Sequence, residues 1–353
     1  MSFKGSSAYS QKTINAHHAP KPNFIRNTSM ANQIFEPQTS LLDVLKKSPD
    51  DEPNKGSETP TQCIVKDFLS PGQIVQIKAQ SCGTFVGCGT ACAIAEGRTV
   101  LTQFECPSPA GVLILQGGMS HEHFTERLNR LTTGTEPPPI KVISPTHFTS
   151  DAKLDLCDET VQDEFFTWLA KQNDYRVLIL DGVDGFLPDK PEPQQISRLL
   201  VGLRGASMTV VSIESDGRGG LPLFPNQPDL ILNAKALDGF DDLVVRVDFE
   251  KSRSLKPDQQ KTFFIKLDEL DDGKLAFVEA PMDEYLKAKT LQLLTKGWTQ
   301  QKIARETGKD QSTISRWISN TLLADSFVVK DGRKYLPTKA GRKLLGEHNL
   351  NDF

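Results

Sequence analysis

The sequence contains no apolar run of about 18 residues, the length a helix needs to cross a bilayer. Its first residues, Met1-Ser2-Phe3-Lys4-Gly5, lack the apolar stretch of a secretory signal. Both absences predict a cytoplasmic chain with no membrane partner. The chain also lacks any CxxC pair, although four of its 6 cysteines, Cys82, Cys88, Cys92 and Cys106, fall close together. Cys88 and Cys92 would share a helix face, yet no His lies near them, so the usual zinc frameworks are missing and no metal is expected. In a reducing compartment such thiols pack as small hydrophobes. What remains is a chain of 353 residues with 37% apolar residues, enough for an ordinary core and long for one domain.

A net charge of −4 argues against a protein that coats nucleic acid, but the charge is unevenly spread. From Tyr285 to Phe353 there are 13 Lys and Arg against 6 Asp and Glu, so this end carries +7 and the rest −11. Such asymmetry marks one end for a polyanion.

Residues 1–60 are rich in Ser, Asn, Pro, Lys and Thr and have no sustained apolar period, which predicts a disordered tail. Within it Leu41, Leu42, Val44 and Leu45 follow Ser40 and suit one short amphipathic helix, so that residues 33–47 are a candidate protein-docking segment. From 61 to 279 strand-like runs (Gln73–Ala79, Gly111–Gln116, Ile140–Ser144, Arg176–Asp181, Met208–Ile213) alternate with helical ones (Thr84–Ala95, Ser120–Leu131, Glu159–Lys171, Gln194–Leu203). That alternation predicts a doubly wound, mostly parallel α/β sheet. The runs Leu243–Phe249, Thr262–Leu267 and Lys274–Val278 have no helices between them and predict antiparallel strands at one edge.

Beyond a linker at Ala280–Glu284, the apolar period of Leu286, Ala288, Leu291, Leu293 and Leu294 predicts a helix ended by Gly297. Thr299 then caps a second helix carrying Ile303 and Ala304, and Gly308 closes it. A third helix follows from Asp310 through Ile318, then a hairpin from Phe327-Val328-Val329 to Lys334-Tyr335-Leu336. Three short helices and a charged hairpin predict a winged helix-turn-helix over 285–345. A tight turn at Gly308 would let the third helix enter a major groove. Gln311, Ser312, Thr313, Ser315 and Arg316 then suit base edges and phosphates, with Thr299 and Gln300 at the start of the second helix. Lys330, Arg333 and Lys334 on the wing suit the phosphate backbone. Double-stranded DNA is the expected partner.

Several pieces of the middle region resemble the RecA-fold ATPases, nearest the plasmid RepA-type hexameric helicases. They are Pro71-Gly72-Gln73-Ile74-Val75, Ala95-Glu96-Gly97-Arg98, Gly111-Val112-Leu113-Ile114-Leu115 with Arg127-Leu128, Val177-Leu178-Ile179-Leu180-Asp181 and Phe249-Glu250-Lys251-Ser252-Arg253. The resemblance implies a phosphate loop, but GxxxxGK[ST] is absent. Gly83 stands at the lysine position, Cys82 at the glycine before it and Ile77 at the first glycine; Thr84, the magnesium hydroxyl, survives. Gly118 or Gln116 stands where the family has a water-orienting glutamate, Asp181 matches the family's magnesium-binding aspartate, and Lys251 and Arg253 resemble its basic finger toward a neighbouring subunit. Glu214, Asp216 and Arg218, among Gly217, Gly219 and Gly220, are read as a solvated loop rather than an acid–base pair.

These features imply a non-enzymatic DNA-binding protein with no cofactor. In this reading an ATPase-dead RecA-like body self-associates and presents winged helices, in the service of a plasmid or other mobile element as regulator or as replication or maintenance factor. The alternative is an active ATPase or helicase loader that uses ATP and Mg, with Lys78 the nearest lysine to a phosphate above Asp181.

Overall fold

Nine strands form one sheet in the order β3-β2-β4-β5-β1-β6-β7-β8-β9, in a computed structural model that describes residues 63–134, 136–148, 155–172, 174–188, 191–215, 228–237, 240, 242–257, 259–332, 334–348 and 350. The strands are β1 (Ile74–Gln80), β2 (Gly111–Gln116), β3 (Ile140–Ile143), β4 (Tyr175–Asp181), β5 (Thr209–Ser215), β6 (Leu230–Ala236), β7 (Val244–Ser252), β8 (Phe263–Glu269) and β9 (Leu275–Glu279). The expectations for 1–60 with its segment 33–47, for Asp216 to Gly220 and for Arg333 lie outside the described residues. The chain divides into units 1–33 and 34–353, and everything described belongs to the second.

The first six strands are parallel and the last three antiparallel, giving an α/β fold with an antiparallel edge. β2 reads Gly-Val-Leu-Ile-Leu-Gln and is buried at all positions, as a parallel strand covered on both faces must be. α1 (Gly83–Ala95) and α2 (His121–Leu131) cover one face, over a core that includes Val75, Ile77, Val112, Ile114, Val177 and Ile179. α3 (Glu159–Leu169) and α4 (Pro193–Gly205) cover the other, over Ile74, Leu113, Leu115, Leu178 and Leu180. Period-two alternation therefore fixes which side of β1 and β4 each residue faces. The small residues of α1 serve its burial, since a Cβ on Gly89 would lie 2.6 Å from the Phe277 ring.

Strand β6 is not among the sequence expectations, yet it pairs with β1 along Val75 to Gln80 and joins the parallel part to the antiparallel edge. After β9 come α5 (Asp283–Thr295), α6 (Gln300–Thr307), α7 (Gln311–Trp317), a hairpin of β10 (Val328–Asp331) and β11 (Lys334–Pro337), and α8 (Lys339–Glu347). Their core is Leu291, Leu294, Ile303, Ile314, Ile318, Leu322, Val328 and Leu345. A smaller cluster, Val244, Phe264, Ala280, Met282 and Leu286, joins this group to β7 and β8.

Candidate functional site

Two places carry the sequence-predicted residues. In an open α/β sheet the crevice at the carboxyl ends of the strands is the default ligand position. There β4 ends at Asp181 and β2 at Gln116, which are register partners. The glycines behind them let the strand ends touch. A Cβ on Gly117 would lie 2.2 Å from the Gly182 carbonyl, and Gly182 itself has φ +66. Asp181 is 4% exposed and pairs with the Thr84 hydroxyl in the first turn of α1. Burial pushes its carboxyl up to about 6, opposed by the Thr84 hydrogen bond and by the Arg127 guanidinium. Among the described residues its Oδ2 has no hydrogen-bond partner, nor has the Nε2 of fully buried Gln116.

The structure thus brings Thr84 and Asp181 together, and adds Arg127, stacked 4.6 Å from the Phe85 ring centroid, to which the sequence reading gave no role in the site. It does not bring Lys78 to them. Val75, Ile77 and Ala79 face the α1 side, so Lys78 faces away, and its Nζ lies 2.7 Å from both carboxylate oxygens of Glu250. Gln76, on the same face as Lys78, donates to Glu214. Gly83 is the first residue of α1 and has no charge to offer.

Lys251 and Arg253 lie at the other end of the sheet. Lys251 is opposite Ile231 near the start of β6. Arg253 pairs with Asp229 at 2.9 Å, and Asp229 also accepts from the Ile74 amide and pairs with Arg204. The amino end of β1 is about 20 Å from its carboxyl end at ~3.3 Å per residue, so these two cations do not face Asp181 of their own chain. Cys82, Cys88, Cys92 and Cys106 are all buried, and burial pushes the Cys92 thiol up to about 12. Among the described residues no group of three or more His, Cys, Asp or Glu is arranged to hold a metal ion.

The second place is the C-terminal helix-turn-helix. Thr299 caps α6, accepting from the Lys302 amide at 3.3 Å, and Gly308 ends it in the left-handed region at φ +67. Asp310 caps α7, accepting from the Thr313 amide at 2.7 Å. With Ile314 and Ile318 turned into the core, Gln311, Ser312, Ser315 and Arg316 are exposed. Thr313 is half-buried: its hydroxyl donates to Asp310 at 2.9 Å and accepts from Arg316 Nη2 at 3.0 Å. Ser312 also donates to Asp310, and these bonds hold the Asp310 carboxyl well below the usual carboxylate range, with Ser312 the largest contributor. Arg316 is therefore aimed by a relay that begins at the helix cap.

The helix does not stop at Trp317 but continues in π-helical turns, Ile318–Leu323. Ser319 and Asn320 on this continuation are exposed and extend the polar stripe of Ser312 and Arg316. The three- and four-residue spacing that carries this stripe was legible, but the expected helix ended too early. Beside it Lys302 Nζ stands 3.6 Å from the Trp298 ring centroid. Gln300 is half-buried at the start of α6. On the hairpin Lys330 and Lys334 are exposed, but they are not cross-strand partners, since Lys330 pairs with Tyr335 and Lys334 with Asp331. Val329 and Leu336 do pair, 50% and 45% exposed, on the face that also carries the Asp331 and Lys334 pair.

A family model for the homeodomain-like domain matches residues 281–322, which covers α5, α6, α7 and most of its continuation. The chain therefore carries a C-terminal homeodomain-like helix-turn-helix, and such a module suggests DNA binding. Comparison with curated proteins finds no match to the chain. Among the described residues no helix is long and apolar enough to cross a membrane.

Proposed function

We propose that the protein is a sequence-reading, double-stranded-DNA-binding protein whose α/β body is RecA-like, self-associating and without nucleotide turnover. The observation that carries the reading is the exposed stripe Gln311, Ser312, Ser315 and Arg316 on the second helix of the helix-turn-helix, in a segment of charge +7. These side chains have the size and donors for base edges, while Lys302, Lys330, Arg333 and Lys334 supply cations for phosphates. A regulator or a replication or maintenance factor of a plasmid or other mobile element is the role the family resemblance supports.

The RecA-like reading of the body is supported by the central position of β1 between β5 and β6, and by Thr84 meeting Asp181 at the carboxyl end of the sheet. Magnesium and ATP do not fit the residues present. Gly83 offers no cation at the position of the phosphate-loop lysine, and Lys78 is on the wrong face, paired with Glu250. The test is enrichment of duplexes from a random pool by the full chain, run beside an ATP titration. A recovered consensus with no ATP turnover supports the reading. ATP hydrolysis lost in Asp181→Asn supports the alternative of an ATPase or helicase loader, and an unenriched pool refutes sequence reading.

A further inference from the structure

The helix-turn-helix touches the body at the element that sets the angle of its reading helix. Two carbonyls in the last turn of α6, those of Arg305 and Glu306, accept from the Arg246 guanidinium of β7. Arg246 is held from behind. Its Nε lies 2.8 Å from Asp248 Oδ2 and its Nη2 donates to Asp248 Oδ1 at 3.0 Å, while the Thr262 hydroxyl donates to the same Oδ1 at 2.6 Å. Thr262 in turn presses on the turn: a Cβ on Gly308 would lie 2.6 Å from it. Just beyond, Lys309 pairs with Asp283 at 3.1 Å. A cation at a helix C-terminus satisfies carbonyls that have no partner inside the helix and opposes the negative end of its dipole.

We infer that the body is part of the DNA-reading apparatus: Arg246, braced by Asp248 and Thr262, is a positioning residue that clamps the end of α6 and the Gly308 turn, and so sets the angle at which α7 is presented. The inference rests on the DNA-binding reading above. Two further observations favour a clamp over incidental packing. The apolar junction of Val244, Phe264, Ala280, Met282 and Leu286, with Leu237, Phe240, Tyr285 and Trp317 packed against it, is bordered by a cleft of about 830 Å³ lined by Thr262, Phe264, Asp283 and Lys309, so that Thr262, which meets Gly308, borders open space rather than a continuous apolar contact. The clamp also leaves the reading stripe open, since Gln311, Ser312, Ser315, Arg316, Ser319 and Asn320 are all exposed with the body in place. The body therefore holds the turn from behind without covering the face that would meet DNA.

Loss of the clamp should cost discrimination rather than general affinity, because phosphate contacts tolerate a tilted helix and base-edge contacts do not. The experiment uses the full chain as wild type, Arg246→Ala, Arg246→Lys and Arg316→Ala. It measures amide exchange over 300–310, thermal midpoint, and affinity for a duplex enriched by the wild type and for a scrambled duplex of equal length. Arg246→Ala is expected to speed exchange at 305–310 at least fivefold, to lower enriched-duplex affinity about tenfold, and to change scrambled-duplex affinity less than twofold. Arg246→Lys should recover part of both losses. Unchanged exchange in Arg246→Ala overturns the clamp, and faster exchange with unchanged discrimination overturns its role in reading. Arg246→Ala losing both duplexes equally, with a lowered midpoint, also overturns it, as general destabilisation. If the wild type binds neither duplex, the DNA-binding reading fails together with the positioning role, and the exchange data still decide whether Arg246 holds the turn.

Discussion

Asp181 and Arg316 show how single residues divide the work between the two places. The Asp181 carboxyl is buried, with one oxygen unpartnered among the described residues, and its folded value of about 6 lies above the ordinary 3.8. A carboxyl raised on folding favours the folded state fully only below about pH 4, and that contribution is lost as pH rises through about 6. Above this range the charge costs on the order of 2–3 kcal/mol. Asp181→Asn, which keeps an acceptor for Thr84, is expected to raise the thermal midpoint at pH 8 and to leave it nearly unchanged at pH 4; equal effects at both would show that the charge is not the cause. The family resemblance is what set Thr84 beside Asp181, but it could not show that Lys78 turns away. That depends on which residues of β1 face α1, and hence on the register of β1 between β5 and β6. The relay from Asp310 through Thr313 to Arg316 was likewise hidden, because Ser312 and Thr313 read equally well as base contacts until their hydroxyls are seen to serve the cap.

Among the elements, those with strong local signals were legible and those defined by their neighbours were not. The Thr299 and Asp310 caps and the Gly308 stop are chemical punctuation that any chain must obey, so the helices of the helix-turn-helix fall close to where the sequence puts them. Thr299→Ala should cost about 0.5–2 kcal/mol in unfolding free energy of the C-terminal module by removing the bond to the Lys302 amide. Gly308→Ala is expected to cost more, because the new Cβ meets both a positive φ, a penalty of about 1–2 kcal/mol, and the Thr262 side chain. Denaturant titrations check both, and a neutral Gly308→Ala would mean the turn is not pressed against the body. Strand β6 escaped notice because Leu-Ile-Leu-Asn-Ala-Lys-Ala is a weak pattern whose strand character comes from pairing with β1 and β7. The continuation of α7 escaped because Ser319 and Asn320 have low helix propensity and only the buried Ile318 and Leu322 hold those turns.

At the scale of the whole molecule, the sheet order places the reading module at the antiparallel edge, with the polar crevice at the carboxyl ends of β2 and β4 on the parallel side. Arg253 remains 56% exposed despite its bond to Asp229, and self-association through this end of the sheet is expected. Light scattering at tens of micromolar should give more than a monomer, reduced in Lys251→Glu with Arg253→Glu; a wild-type monomer with and without DNA contradicts it. The parallel sheet and its covering helices were legible because buried apolar runs alternate with amphipathic ones. How the module docks was not, since Arg246 sits 60 residues from Glu306 and Thr262 lies likewise far along the chain from Gly308, and neither signals anything locally. Whether α7 reads double-stranded DNA is decided by the affinity of the full chain for an enriched and a scrambled duplex, wild type against Arg316→Ala. Arg316→Ala should lose about 1–3 kcal/mol on the enriched duplex with little change on the scrambled one; equal affinities of wild type and Arg316→Ala for the enriched duplex would show that α7 does not read bases.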